Sequence, residues 1–137
     1  MATINRFEDI EAWQHAERLE REIFKLTLEG EFAKDFSLKD QIRRSTGSVM
    51  DNIAEGFERN GNKELILFLS YAKGSIGEVR SQLHRARNRK YITEDVYEKL
   101  YEECLSISKM IMAFINYLNR SDIKGAKYKV QDVEIQR

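Results

Sequence analysis

The sequence of 137 residues contains no proline and only one cysteine, and it has few glycines and no long apolar run. Without proline, no helix has to be interrupted by a residue that lacks a backbone N–H group. The single cysteine, Cys104, cannot form a disulfide bond within the chain, which is typical of a protein from the reducing cytoplasm. Because no segment approaches the roughly 20 apolar residues that cross a bilayer, we expect no membrane association. The acidic N-terminal segment has no apolar core, so no secretory signal is expected.

The composition favours one helical domain. Hydrophobic residues make up 42% of the chain and charged residues 34%, and the length is sufficient for one domain with its own core. Leucine, glutamate, lysine, arginine and alanine are abundant, and all of them favour helices over strands. The sequence therefore predicts an all-α fold.

Apolar residues recur every three or four positions over four segments, which predicts four amphipathic helices. The segments are residues 8–28, 37–59, 62–86 and 93–118. Residues 30–36 break the pattern and are expected to connect the first two helices. The short connections predict an up-down-up-down antiparallel four-helix bundle over residues 1–119, and residues 120–137, which show no sustained period, are predicted to form a mobile tail.

Three residues have the type and position of helix N-caps. Ser37, followed three residues later by Asp40, resembles a capping box, and Asn62 and Thr93 precede the third and fourth helices. Gly61 is expected to adopt a positive φ in the tight connection before the third helix.

The contact faces of the second and third helices contain small and polar residues instead of large apolar ones. Ser45, Ser48, Asn52 and Gly56 recur three or four positions apart on the second helix. An interior glycine costs roughly 1 kcal/mol relative to alanine in a helix, so these positions indicate close backbone approach or a surface for assembly. The residues predicted to form an interface or a buried polar network are Trp13, Ser48, Asn52, Glu55, Gly56, Gly74, Ser75 and Glu78.

The net charge is zero, but the third helix is basic. Residues 63–90 contain seven Lys/Arg and two Asp/Glu residues, a net charge of +5. Lys73, Arg80 and Arg87 repeat every seven residues, so they lie along one face that a phosphate backbone could follow. The candidate nucleic-acid-binding residues are Arg43, Arg44, Arg59, Lys73, Arg80, His84, Arg85, Arg87 and Arg89.

A structural interpretation of the same cations stays open. Arg85, Arg87 and Arg89 lie in the last turns of their helix, where each cation stabilises the helix dipole by about 0.3 to 1 kcal/mol. The first and fourth helices are acidic and could pair with the basic face, within one chain or between subunits. The alternative to nucleic-acid binding is therefore a scaffold, or a protein-binding module, that uses these cations in intersubunit ion pairs.

Catalytic and metal sites are not expected. Neither histidine completes the Glu-x-x-His motif of di-iron bundles, since Ala12 precedes His15 by three positions and Ser81 precedes His84. Glu55 and Glu78 are the two carboxylates that could serve as an acid and base pair, but no sequence feature supplies the pocket that such a pair requires. We expect a non-enzymatic protein without a cofactor or a metal.

Three segments resemble a known family. They are FEDIEAWQHA at residues 7–16, QIRRSTGSVMDNIAEGFER at 41–59 and KELILFLSYAKGSIGEVRSQL at 63–83. Together they are similar to the 23S rRNA intervening sequence proteins, which are encoded within bacterial 23S rRNA genes and as standalone genes. The family often has a Ser-Ile-Pro run before NIAEG, and this chain has Ser48, Val49 and Met50 there.

The resemblance implies properties that the residues alone do not supply. It implies an up-and-down four-helix bundle that assembles into a homopentameric ring and has no enzymatic activity. The family looks related to the accessory variability determinant of diversity-generating retroelements, which associates with nucleic acid and with a reverse transcriptase. The resemblance thus favours a cytoplasmic, nucleic-acid-associated accessory protein whose partners are RNA or DNA and, by analogy, a reverse transcriptase.

Overall fold

The computed structural model describes residues 3–121 and the two residues 128–129, and this part of the chain contains five helices. The predicted all-α class is confirmed. The elements are β1 (Thr3–Ile4), a 3-10 turn (Phe7–Asp9), α1 (Glu11–Leu26), α2 (Gly30–Lys34), α3 (Phe36–Glu58), α4 (Asn62–Asn88), α5 (Glu94–Arg120) and β2 (Tyr128–Lys129). No helix of the described part is long and apolar enough to cross a membrane.

The four long helices share one hydrophobic core. α3 packs against α1 and α4, and α5 packs against α4 and α1. Gln41 near the start of α3 is hydrogen-bonded to Arg85 near the end of α4, so these two helices run in opposite directions. Each fully buried leucine or isoleucine contributes roughly 1.5 to 3 kcal/mol.

The apolar residues that recur every three or four positions along α4 and α5 are all buried, and none is more than 7% exposed. On α4 they are Leu65, Leu69, Ala72, Ile76, Val79, Leu83 and Ala86, and on α5 they are Tyr97, Leu100, Cys104, Ile107, Ile111, Phe114 and Leu118. The period of three and four residues therefore identifies the core face of both helices.

The segment 30–36, where the apolar periodicity breaks, connects α1 to α3 and contains the short helix α2. Gly30 begins it with a φ of +58°, a conformation that glycine adopts without steric cost. Phe32 is fully buried, and its ring stacks on that of Tyr91 with the centroids 5.3 Å apart. Burial of this aromatic ring against the α4–α5 connection stabilises a helical turn that local periodicity does not predict.

The N-cap of α3 is Asp35, and the prediction of Ser37 was wrong. The Asp35 carboxylate accepts a hydrogen bond from the Leu38 backbone N–H at 3.1 Å. The prediction for α5 is confirmed, since Thr93 Oγ1 accepts from the Val96 N–H at 3.2 Å.

The connection before α4 also differs from the expectation. Asn60, with a φ of 61°, takes the positive φ that was predicted for Gly61, which is extended. Gly61 is the N-cap residue and Asn62 is the first residue of α4, so Asn62 does not cap this helix. The Asn62 side-chain amide instead donates to the Leu118 carbonyl at 3.4 Å, which links the start of α4 to the end of α5.

Asp35 also links α3 to the connection between α4 and α5. Its carboxylate accepts from Arg89 Nη1 at 2.7 Å and from the Tyr91 hydroxyl at 2.8 Å. The hydrogen bond from Tyr91, followed by that from the Leu38 N–H, lowers the pKa of Asp35 below its ordinary value. The same bond from the hydroxyl raises the pKa of Tyr91.

We predict that Asp35→Ala lowers the melting temperature at neutral pH, because α3 loses its cap and Arg89 and Tyr91 lose their acceptor. A carboxylate with a lowered folded-state pKa stabilises the fold above its ordinary pKa, and the stabilisation disappears as the pH falls through the lowered value. The difference from the unaltered protein should therefore shrink below about pH 4. Circular dichroism melts at pH 7 and pH 3 measure it, with Asp40→Ala, an exposed acid of the same helix, as the control. Equal melting temperatures at pH 7 would show that Asp35 does not stabilise the fold.

Little of the predicted C-terminal tail belongs to the described residues. α5 extends to Arg120, and Tyr128–Lys129 pairs antiparallel with Thr3–Ile4. Ile4 is buried in the core, so the N-terminal strand is attached to the helical body. The prediction of mobility concerns residues 122–127 and 130–137, which lie outside the described part.

Candidate functional site

The basic face of α4 is packed against tyrosines of α5. The Arg80 guanidinium lies 5.5 Å from the centroid of the Tyr101 ring, and the Arg87 guanidinium lies 4.1 Å from that of Tyr97. A guanidinium over an aromatic ring is attracted by the ring quadrupole, by about 0.5 to 1 kcal/mol at exposed sites. The rings therefore hold both cations in defined positions along the α4–α5 edge.

His84 lies between these cations and belongs to the same cluster. Its Nε2 atom is 3.0 Å from the Tyr97 hydroxyl, and its Nδ1 atom is 3.3 Å from Arg87 Nη2. The imidazole meets the Tyr97 and Tyr101 rings edge to face, with centroids 5.2 and 5.7 Å apart. His84 thus orients the tyrosines under the two arginines and is half-buried by them.

Carboxylates neutralise this cluster only in part. Arg87 lies 3.9 Å from Glu94, at the limit of an ion pair, whereas Arg80 forms no ion pair within the described residues. The buried Arg80 Nε atom also lacks a hydrogen-bond partner there. Lys73 is exposed one heptad before Arg80 and likewise forms no ion pair with a described residue.

The other predicted cations lie elsewhere. Arg85 donates to the Gln41 side chain at 2.9 Å on the side of α4 that faces α3. Arg89 is bound by Asp35 at the end of the helices. The structure therefore brings Arg80, His84 and Arg87 together and separates them from Arg85 and Arg89.

The two arginines of α3, and Arg59 directly after its end, also differ in their surroundings. Arg43 lies over the Phe24 ring of α1 at 4.3 Å and donates to Thr27 Oγ1 at 2.9 Å. Arg59 is paired with Glu55 at 2.8 Å. Arg44 is exposed and lines a groove between α3 and α4. Among the nine predicted residues, those without an ion pair to any described residue are Arg43, Arg44, Lys73, Arg80, His84 and Arg85.

Three of the eight residues predicted for an interface or polar network, Ser48, Asn52 and Ser75, form a chain of hydrogen bonds between α3 and α4. The hydroxyl groups of Ser48 and Ser75 are 2.9 Å apart. The Asn52 amide donates to the Ser48 hydroxyl at 2.9 Å and to its carbonyl oxygen at 2.8 Å. These bonds satisfy polar groups between the two helices and set their relative register.

Gly56 and Gly74 have contrasting environments. A Cβ atom at Gly56 would lie 2.7 Å from Phe68 Cβ, so this glycine permits close approach of α3 and α4. A Cβ atom at Gly74 would meet no atom within 4 Å. Gly74 is exposed, so its lack of a side chain serves no close contact inside the described chain.

Glu55, Glu78 and Trp13 complete the set of predicted residues. Glu55 pairs with Arg59, as stated above, while Glu78 is exposed on the rim of the α3–α4 groove. Trp13 is half-buried and contacts the Phe7 ring edge to face at 5.2 Å. The two carboxylates thus have different neighbours.

Two features were missed by the sequence interpretation. The first is an apolar stripe on the outer face of α4, where Leu67 is 47% exposed and Tyr71 is 50% exposed beside Gly74. Leu67, Tyr71 and Gly74 are spaced four and three residues apart on a face away from the core. This spacing could have revealed the stripe from the sequence.

The second feature is a polar groove of about 360 Å³ between α1 and α5. Burial, followed by the neighbouring charge of Glu22, raises the pKa of Glu103, and burial lowers the pKa of His15. The groove also contains Glu102 and Arg18. No group of three or more potential metal-ligating side chains is assembled in the part of the chain that the structure describes.

Burial also raises the pKa of Cys104 to about 12, which keeps this thiol protonated and unreactive.

The residues that form these faces match a family of proteins. The family description "23S rRNA-intervening sequence protein" matches residues 8–113, which include α3, α4 and most of α5. The chain belongs to this family. The match covers the basic face of α4, the tyrosines beneath it and both polar helix faces.

One solved structure shows the same fold as this intervening-sequence protein. It is a protein with unknown function from the S23 ribosomal protein family of Bacteroides thetaiotaomicron VPI-5482, with 23% identity and a TM-score of 0.69. The alignment covers 76% of this chain and 97% of that one. No functionally curated protein matches the chain.

Proposed function

We propose that this intervening-sequence protein is a non-enzymatic, self-associating accessory module that contacts nucleic acid through the α4–α5 edge. In this proposal the four long helices form an up-down-up-down bundle that presents Lys73, Arg80 and Arg87 on one side. Phosphate groups supply the negative charge that Lys73 and Arg80 lack among the described residues and that Arg87 receives only from Glu94 at 3.9 Å. The protein acts in the cytoplasm as an RNA- or DNA-associated component.

The observation that carries the proposal is the environment of Arg80. Its guanidinium is held over the Tyr101 ring, without a carboxylate partner among the described residues. A cation that is positioned by a ring loses little conformational entropy when it binds a phosphate, and it has no internal ion pair to break. Lys73, one heptad before Arg80, also forms no ion pair with a described residue, and Arg87, one heptad after it, has only the 3.9 Å contact with Glu94.

A matched pair of arginines tests the proposal. Arg80 and Arg59 both lie over an aromatic ring, at 5.5 and 5.1 Å, but only Arg59 is paired with a carboxylate. We predict that Arg80→Gln weakens binding of labelled single-stranded or duplex RNA about three- to tenfold at low salt and reduces the salt slope by about one phosphate contact. Arg59→Gln should change the affinity for RNA less than twofold, because Arg59 is already paired with Glu55. Fluorescence anisotropy at two salt concentrations measures both.

Two results would contradict nucleic-acid binding at this edge. One is the absence of RNA binding by the unaltered protein at low salt. The other is an equal effect of Arg80→Gln and Arg59→Gln, which would mean that only net charge matters. Circular dichroism spectra of both variants establish that the helices are retained.

A second candidate function is a protein scaffold whose basic face is used between subunits. The polar groove between α1 and α5 favours it, because its three glutamates, Glu22, Glu102 and Glu103, outnumber its one arginine, Arg18, and give it a charge opposite to that of the α4 edge. In a scaffold of this kind, Lys73 and Arg80 would enter the polar groove between α1 and α5 of a neighbouring copy. The mass of the assembly would then fall as salt rises, and RNA binding would be absent.

A further inference from the structure

A polar groove of about 310 Å³ separates the first half of α3 from the second half of α4. It lies on the opposite side of α4 from Arg80 and Arg87, so it does not belong to the proposed nucleic-acid edge. Its volume is at the lower end of small-molecule sites, which indicates a small ligand. The groove is lined by Gln41, Arg44, Ser45, Ser48, Glu78 and Gln82.

Gln82 carries an unsatisfied acceptor in this groove. The residue is only 7% exposed, and its Oε1 atom has no hydrogen-bond partner among the described residues. Buried polar atoms are nearly always hydrogen-bonded, and a buried carbonyl oxygen requires an N–H or O–H donor. The groove thus lacks one donor, which a ligand would bring.

Two opposite charges flank this oxygen. Glu78 and Arg44 are both exposed on the groove, and neither forms an ion pair with a described residue. A purely cationic ligand would be attracted by Glu78 and repelled by Arg44. A purely anionic ligand would be attracted by Arg44 and repelled by Glu78. A ligand with both charges gains from both residues.

The two serines of the groove are already oriented. Ser45 donates its hydroxyl hydrogen to the Gln41 carbonyl at 3.0 Å, and Ser48 is bonded to Ser75 and Asn52. Both hydroxyl groups are therefore already hydrogen-bonded, and the group that still lacks a partner is the Gln82 carbonyl oxygen.

We propose that the α3–α4 groove binds a small zwitterionic amine of the free α-amino acid class. Its ammonium group donates to Gln82 Oε1 and to the Glu78 carboxylate, and its carboxylate accepts from the Arg44 guanidinium. Charge-assisted bonds of this kind are about twice as strong as neutral ones, so three polar side chains suffice to select a ligand with both groups. The proposal does not rest on the proposed nucleic-acid function, because none of the residues of the α4–α5 edge lines this groove.

Binding can be tested directly on the purified protein. We expect at least one of the common L-amino acids, at millimolar concentration, to raise the melting temperature in a saturable manner. The amino acid that raises the melting temperature most is then studied by calorimetry. Its affinity is compared with that of the amine that lacks the carboxylate and with that of the acid that lacks the amine. For L-serine these two compounds are ethanolamine and 3-hydroxypropanoate. Each truncated compound should bind at least about tenfold more weakly.

Variants separate binding from folding. Gln82→Met removes the orphaned oxygen at a similar volume, so we expect a higher melting temperature without ligand and an affinity at least about tenfold lower. Arg44→Ala should reduce the difference in affinity between the amino acid and its decarboxylated amine, because the ligand carboxylate loses its partner. Gln14→Met is the control, because Gln14 lies on α1, away from the groove, and its amide donates to the Glu8 carbonyl.

Three results would overturn the proposal. The first is that no amino acid raises the melting temperature. The second is a lower melting temperature of ligand-free Gln82→Met, which would show that Oε1 already has a partner. The third is a change in the mass of Gln82→Met in solution with no amino acid bound, which would show that a second copy of the chain fills the groove.

Discussion

Replacing Gly56 by alanine is expected to destabilise the fold by about 1 to 2 kcal/mol, even though alanine is the better helix former. The added Cβ would lie 2.7 Å from Phe68 Cβ and 3.2 Å from Leu65 Cδ1. Phe68 Cβ is attached directly to the backbone, so the overlap can be relieved only by moving α3 away from α4. Overpacking of this kind costs roughly 1 to 3 kcal/mol, which outweighs the gain of at most about 1 kcal/mol in helix propensity.

The measurement is the free energy of unfolding in denaturant. Gly47→Ala is the matched control, because Gly47 lies in the same helix and a Cβ there would meet no atom within 4 Å. It should stabilise the protein by about 0.5 to 1 kcal/mol, through helix propensity alone. Equal stabilisation by both alanines would show that α3 and α4 are not in close contact at Gly56.

Replacing Gly74 by leucine is expected to reduce the mass of the particle in solution while leaving the helices intact. A side chain at Gly74 meets no atom of the described chain within 4 Å, so the fold has room for it. Leu67 and Tyr71 continue the same exposed stripe, which favours contact with a second copy through this face. A leucine in the middle of a closely packed interface would separate the subunits.

Light scattering at micromolar concentration measures the effect. Five copies of the 16.1 kDa chain, the number that the family resemblance implies, have a mass of about 80 kDa. The Gly74→Leu protein should shift toward 16.1 kDa with an unchanged far-ultraviolet spectrum. Glu98→Leu, which adds the same side chain to an exposed position of α5, should not lower the mass. A monomeric unaltered protein would contradict self-association altogether.

The sequence predicts the core well because burial is periodic. Residues such as Leu69, Ile76 and Ile107 follow the helical repeat, and the structure buries all of them. Any helix that packs one face against a shared core shows the same period. The helix type and the core face of α4 and α5 therefore follow from local spacing.

Helix ends were less predictable because they depend on contacts from distant segments. Ser37 and Asp35 are both acceptable caps by residue type. Asp35 is selected in the structure, where Arg89 and Tyr91 also bind it from the α4–α5 connection. Burial of Phe32 against Tyr91 likewise produced the helix α2, which no local pattern indicated.

The helix that carries the candidate site could be predicted from the sequence, but the surroundings of its side chains could not. The heptad spacing of Lys73, Arg80 and Arg87 places them along α4, as their repeat requires. The sequence could not show that Tyr97 and Tyr101 lie beneath two of them, since that depends on how α5 packs against α4. The orphaned oxygen of Gln82 was equally hidden, because burial of an amide depends on neighbouring helices.

The salt dependence of RNA binding by the unaltered protein tests most directly whether the free cations of α4 meet phosphates. We predict binding at 50 mM salt, with the logarithm of the affinity falling linearly as the logarithm of the salt concentration rises. The slope should correspond to about two to three phosphate contacts, at roughly 0.7 to 0.9 per contact. Absence of binding at 50 mM salt, or an affinity that does not change with salt, would contradict nucleic-acid recognition by this face.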